Sequence, residues 1–170
     1  GEMRASAANP AALRPEGPLF AAQRAEIEEL LARNAGRPRD ILLARLGRTS
    51  AASGDFATSA AACMMFLDEY GEDHEYSAGI ARRLAESLAP LNLDVIDVAH
   101  AEEGPVYRMH YRMGYEPSRA SLREAVGAWE RAAGLAQGEE AAASALLHAG
   151  WVHAALGDGT AATQAWDRCS

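Results

Sequence analysis

The sequence predicts an all-α protein in which antiparallel helix-turn-helix repeats stack as a short α-solenoid, and three observations carry that expectation. One phrase occurs twice in the last third of the chain, Ala125-Val-Gly-Ala-Trp129-Glu-Arg131-Ala132 and Ala162-Thr-Gln-Ala-Trp166-Asp-Arg168-Cys169, with the Trp residues 37 positions apart. A period of this size is the signature of stacked helical repeats. Alanine supplies 39 of the 170 residues while aromatic residues supply 6%, a composition that suits helices in close approach better than a thick sheet core of β-branched residues. Apolar residues also recur at helical spacing in segments separated by Gly, Pro and Gly-Asp turns.

Length and charge narrow the function classes. A chain of 170 residues is enough for one domain with a real core. All 16 basic residues are Arg, which fits the base composition of a GC-rich bacterial genome more than a physical demand. The net charge of -8 argues against nucleic acid, whose phosphates call for clustered basic side chains. Cys63 and Cys169 match no CxxC or haem-attachment spacing, so no zinc, redox or haem site is expected. No apolar run reaches the roughly 18 to 20 residues needed to cross a bilayer. A soluble protein of the bacterial cytoplasm or periplasm is expected, with a removed leader or anchor left open.

Residues 1–18 contain Pro10, Pro15 and Pro18 without periodicity and are expected to be an extended or disordered tail, followed by one helical domain over 19–170. Leu19, Phe20, Ile27, Leu30 and Leu31 fall opposite Arg24, Glu26, Glu28, Glu29 and Arg33, an amphipathic helix that stops at Asn34, Gly36 and Pro38. Asp40 is the expected N-cap of a helix from Ile41 to about Ser53, Gly54-Asp55 the turn, and Phe56 to Tyr70 the next helix. A helix from Glu75 to Leu88 carries Ile80, Leu84 and Leu88 on one face. Leu91 to Glu103 reads as either an irregular helix or an extended piece. Val106 to Tyr115 and Arg119 to Leu135 follow as helices, with Pro117 between them.

Leu43, Leu46-Gly47, Gly54-Asp55 and Phe66 resemble the tetratricopeptide repeat, a 34-residue helix-turn-helix unit. Leu146, Gly150, Gly157-Asp158, Ala162 and Trp166 repeat the same offsets. In that family a small residue at the eighth position lets the two helices touch, and Gly-Asp at the fifteenth and sixteenth makes the turn. Gly47 and Gly150 lie 103 residues apart, close to three periods. The resemblance implies that Trp129 and Trp166 point inward from the second helix of their repeats. It also implies a binding surface on the first helices: Arg48 in the first repeat, Tyr107 and His110 in a divergent third, and Leu147 and Trp151 in the last. Repeat arrays usually end in a polar helix that covers the final apolar face. None is evident after Trp166, so that face is expected to be covered by a partner, a twin subunit or further residues.

The most distinctive polar phrase is Tyr107-Arg108-Met109-His110-Tyr111-Arg112-Met113-Gly-Tyr115. Read as a helix, its four-residue steps collect Tyr107, Tyr111 and Tyr115 in one stripe and Arg108 with Arg112 in another. Two readings are open. Met and Tyr can simply pack against neighbouring helices, or Arg108, Arg112 and His110 can meet a carboxylate-bearing ligand beside Tyr107 and Tyr111. His148 and His153 lie five residues apart, off the step that puts two metal ligands on one face. The acidic residues Asp68, Glu69, Glu72, Asp73 and Glu75 follow no calcium-loop pattern. No phosphate loop or nucleophile motif occurs.

These observations lead to the expectation of a protein-protein interaction module or scaffold subunit of a larger assembly, with no cofactor, metal or catalytic residue. Its expected docking residues are Arg48, Tyr107, Arg108, His110, Tyr111, Arg112, Leu147 and Trp151. The alternative is a helical ligand-binding or enzymatic domain with an Arg/His/Tyr pocket for an anionic small molecule.

Overall fold

Gly-Asp pairs punctuate the chain at its two ends, and each builds the same turn. Gly54 and Gly157 adopt φ of 82° and 80°, a left-handed conformation that a Cβ would disfavour. The following Asp then caps the next helix: Asp55 accepts from the Thr58 N–H and Asp158 from the Ala161 N–H, at 3.1 and 3.0 Å. In a computed structural model the described residues are 18–101, 104–111 and 117–169, with side-chain surroundings described for 21–91, 111 and 117–169. The N-terminal segment 1–17 expected as a tail lies outside them.

The helices among the described residues are α1 (Pro18–Arg33), α2 (Arg39–Ala52), α3 (Phe56–Tyr70), α4 (Ser77–Leu88), α5 (Arg119–Leu135), α6 (Glu139–Ala155) and α7 (Gly159–Asp167). From α2 onward each helix packs on the next in sequence, and α1 lies against α3. The helix α3 sits at the centre, with Ala60, Ala61, Ala62, Cys63, Met65 and Phe66 fully buried. Its apolar residues run all round the helix, as they must where neighbours cover every side. The helix α2 starts at Arg39, two residues earlier than expected, so Asp40 lies inside the first turn rather than at the cap.

The described chain is helical, as expected, apart from a two-stranded antiparallel hairpin between α4 and α5, β1 (Leu91–Ala101) and β2 (Gly104–Tyr111). Its register sets Val98 opposite Tyr107 and Asp97 opposite Arg108. The helix expected from Val106 is therefore corrected: a strand occupies Gly104–Tyr111, and the rest of the expected helix, Arg112 to Tyr115, lies outside the described residues. The ends of this excursion are tied together, because the Ser121 hydroxyl donates to the Leu88 carbonyl at 2.8 Å. The chain leaves α4 and returns in α5 at one place. Between the α2–α3 and α6–α7 pairs, the described chain thus holds one helix pair and a hairpin where three periods implied two helix pairs.

Close helix approach is achieved twice by the same device. A Cβ on Gly47 would stand 3.2 Å from Cys63 Sγ, and one on Gly150 would run into the Trp166 indole, 2.8 Å from its Cε2. In each case the glycine on one helix meets the residue sixteen positions later on the next. The two Trp residues fare differently from the expectation. Trp129 is 1% exposed, whereas Trp166 lies half-buried across Gly150 with its Nε1–H donating to the Leu147 carbonyl at 3.4 Å.

Two buried serines of the core, Ser59 and Ser87, are hydrogen-bonded to each other, whereas the buried Trp129 Nε1–H has no hydrogen-bond partner among the described residues. Ser87 donates to the Arg83 carbonyl at 2.7 Å, so in the 2.8 Å contact between the two hydroxyls Ser59 is the donor. Gly150→Ala is expected to destabilise the fold by about 1–3 kcal/mol through overpacking. Gly127→Ala, on an exposed stretch of α5 where nothing lies within 4 Å, is expected to stabilise it by about 0.5–1 kcal/mol through helix propensity. Thermal melts of the two variants should therefore move in opposite directions.

Candidate functional site

The core-facing side of α2 is fixed by Leu43, Gly47 and Ser50, all buried. This leaves Ile41, Ala44, Arg45 and Arg48 as a neighbouring stripe at steps of three and four residues. On α4 the burial of Ile80, Ala81, Leu84 and Leu88 likewise leaves Tyr76, Gly79 and Arg83 along the flank. These two stripes line a groove of about 460 Å³ between α2 and α4. Ile41 and Tyr76 are each 39% exposed, so the groove offers an aliphatic and an aromatic surface to a ligand.

Its charge is unbalanced. Arg45, Arg48 and Arg83 have no ion-pair partner among the described residues, and the acidic lining group is Glu75. Several other Arg side chains are engaged: Arg82 with Glu86, Arg131 with Glu72, and Arg39 with both Glu28 and Glu69. Three guanidiniums facing one groove form a local basic site on an acidic chain. Planar guanidiniums favour carboxylate partners, which they can hold through paired hydrogen bonds.

Two joints hold the N-terminal end of the groove. His74 Nε2 lies 3.0 Å from Asp40 Oδ2, and the Tyr76 N–H donates to His74 Nδ1 at 3.0 Å. Since Nδ1 accepts, the ring proton sits on Nε2 and is given to Asp40. The His74 ring meets Phe66 edge-on at 5.0 Å. Tyr76 is thus placed by a turn pinned to α2. The His74 hydrogen bond, helped by the Ile41 N–H, holds the Asp40 carboxyl below its usual range. Beside it Arg39 joins α1, α2 and α3, bonding Glu28 Oε1 at 2.6 Å and Glu69 Oε2 at 2.8 Å. Arg39 hydrogen bonding likewise holds the Glu28 carboxyl low.

The structure distributes the expected docking residues over separate places. Arg48 lines the groove. Leu147, 42% exposed, and half-buried Trp151 lie on α6 and do not border it; the Trp151 ring meets Trp166 edge-on at 4.9 Å. Tyr111 is half-buried and packs against the core. Tyr107, Arg108 and His110 belong to β2, but their side chains lie outside the described residues, as does Arg112 altogether. Sequence reasoning missed Arg45, Tyr76 and Arg83. The steps from Ile41 to Arg48 and from Tyr76 to Arg83 were the available signal, two stripes of matching spacing.

Among the described residues no cluster of His, Cys, Asp or Glu could hold a metal ion, and no helix is long and apolar enough to cross a membrane. No protein-family model, curated protein or solved structure matches the chain.

Both joints carry a pH signature. A carboxyl whose folded pKa is depressed stabilises the fold above its unfolded pKa, and that contribution is lost as the pH falls through the folded value. Melting temperature should therefore fall as pH drops below about 5, and Arg39→Ala should flatten part of that slope by removing the Glu28 contribution. An unchanged slope would remove Arg39 from this role. Burial pushes the Cys63 thiol up to about 12, whereas Cys169 is half-buried. A thiol-reactive chromophore should accordingly label Cys169 in the native protein and reach Cys63 only on unfolding.

Proposed function

We propose that this protein is a protein-protein interaction module of the tetratricopeptide-like helical-repeat type, which holds an acidic, extended segment of a partner protein in the α2–α4 groove. The observation that carries the reading is the set of three guanidiniums, Arg45, Arg48 and Arg83, left without ion-pair partners among the described residues beside exposed Ile41 and Tyr76. Each would lose little by sitting in water, but together they form a charge focus suited to carboxylates spaced along a chain. Tyr76 and Ile41 add the apolar contact that gives such a complex its residence time, since hot spots favour Tyr and Arg.

The repeat assignment draws support from the two matched Gly-Asp turns and the two matched glycine contacts. They make the first and last helix pairs equivalent in local geometry. A binding role suits the groove better than a catalytic one. It presents cations and apolar surface, without a nucleophile held by a general base.

A fluorescein-labelled peptide with alternating Glu and Leu residues serves as the probe. It should bind with an affinity that falls as salt rises, and Arg48→Glu should weaken it by about tenfold or more, a loss of about 1.4 kcal/mol. Arg48 is exposed, so the melting temperature of this variant should stay close to that of the parent. Equal binding by parent and variant in anisotropy titrations would remove the groove from the proposal.

A further inference from the structure

The turn between α3 and α4 is held by a side chain whose two hydrogen bonds cannot both survive the gain of a proton. His74 donates from Nε2 to Asp40 Oδ2 on α2 and accepts at Nδ1 from the Tyr76 N–H, each at 3.0 Å. Aromatic neighbours confine the ring: Phe66 and Tyr70 meet it edge-on at 5.0 and 5.4 Å, and Tyr76 lies tilted against it at 5.0 Å. The turn is fixed separately by Ser77, whose hydroxyl donates to the Gly71 carbonyl at 2.7 Å and whose N–H donates to the His74 carbonyl at 3.0 Å. Tyr76, between these anchors, is exposed on the wall of the α2–α4 groove.

A second ring proton goes to Nδ1, and both nitrogens of an imidazolium are donors. No tautomer and no flip of the ring then offers the Tyr76 N–H an acceptor. The two bonds respond in opposite directions. The bond to Asp40 becomes a charge-assisted pair and strengthens, so the ring stays on α2. The bond to Tyr76 is lost, and Tyr76 is the group that must move.

The surrounding charges leave Asp40 as the anion in direct contact. The His74 hydrogen bond and the Ile41 N–H hold its carboxyl below the usual range, so it stays ionised where histidine changes charge. Arg39, also on α2, is shared between Glu28 and Glu69. On the α3 side stand Glu69 and the Tyr70 phenol. The turn itself carries Glu72, Asp73 and Glu75, of which Glu72 pairs with Arg131. On α4 no charged residue precedes Arg82.

We propose that His74 is a pH-responsive latch on the α2–α4 groove: neutral, it sets Tyr76 in the wall; protonated, it keeps Asp40, releases Tyr76 and loosens the hold on an acidic partner. Glu75, which precedes Tyr76 and lines the same groove, is carried along. The new positive charge is taken up by Asp40, so Arg45, Arg48 and Arg83 remain the cations of the groove. The regulation rests on the reading of the groove as a site for an acidic segment, whereas the movement of Tyr76 does not.

Two measurements keep latch and groove apart. In the isotope-labelled parent protein, nuclear magnetic resonance should show His74 Nδ1 unprotonated at about pH 7.5. As the pH falls to about 5.5, the Tyr76 amide should shift and exchange faster with solvent, in step with the His74 ring. A Tyr76 amide indifferent to the ring would overturn the latch, and no variant is needed to see it. In anisotropy titrations the Glu/Leu peptide, whose carboxylates stay largely ionised over this range, should bind about fivefold more weakly at the lower pH, the loss of one aromatic contact. An Asn side chain can accept from the N–H two residues on and does not titrate, so His74→Asn should bind as the parent does at the higher pH and show no pH dependence. Parent binding that is unchanged or stronger at low pH, or a dependence that persists in His74→Asn, would overturn the regulation and leave the groove standing. A peptide that binds at neither pH would overturn the groove and its regulation together.

Discussion

Two helices approach closely only where a side chain is missing from one of them, and that constraint governs this fold. Interaxial distance follows the side chains at the crossing. At Gly47 the crossing accommodates the Cys63 sulfur, and at Gly150 an entire indole. The closeness at these points rotates each first helix so that a fixed stripe faces its partner. The stripe beside it is left for the next helix or for a ligand. The α2–α4 groove is thus a by-product of packing: once Leu43 and Gly47 are committed to α3, Ile41, Arg45 and Arg48 fall on the exposed stripe that borders it.

The hairpin shows why a regular stack tolerates a long insertion. It departs after Leu88 and returns before Ser121, and the bond between these two residues closes the gap at its base. Loop-closure entropy rises slowly with length, so the extra chain costs little once its ends are held. Trp129 can be covered by His148 and flanked by Arg82 although α4 and α5 are separated by 30 residues of intervening sequence.

Helical spacing made α1 to α4 and α5 to α7 legible, and the Gly-Asp turns were legible to the residue because only a few residue types satisfy a left-handed turn followed by a cap. The hairpin was misread for a definite reason. In Tyr107-Arg-Met-His-Tyr111 the four-residue step that suggested a helix is also an even number, and residues four apart share a face in a strand as well. The discriminating signal was the two-residue alternation there and in Leu91-Asn-Leu-Asp-Val95. At the candidate site, Arg48 was accessible through resemblance, whereas Arg83 was not. Whether an Arg is paired depends on distant carboxylates: Arg39 finds Glu69 thirty residues away, and Arg83 finds none among the described residues. The inward expectation held for Trp129, which is 1% exposed, and only partly for Trp166, which stays half-buried.

Charge is what lets one acidic chain offer two unlike surfaces. Beyond a Debye length of about 8 Å at physiological ionic strength, a ligand feels little of the net charge and responds to what it touches. In the groove it touches guanidiniums that have no ion-pair partner among the described residues. On α6 and α7 it touches uncharged surface with carboxylates at the edge. An acidic extended segment would be drawn to the groove and repelled by the carboxylates at the ends of α6 and α7, so the two surfaces discriminate by sign before shape is tested.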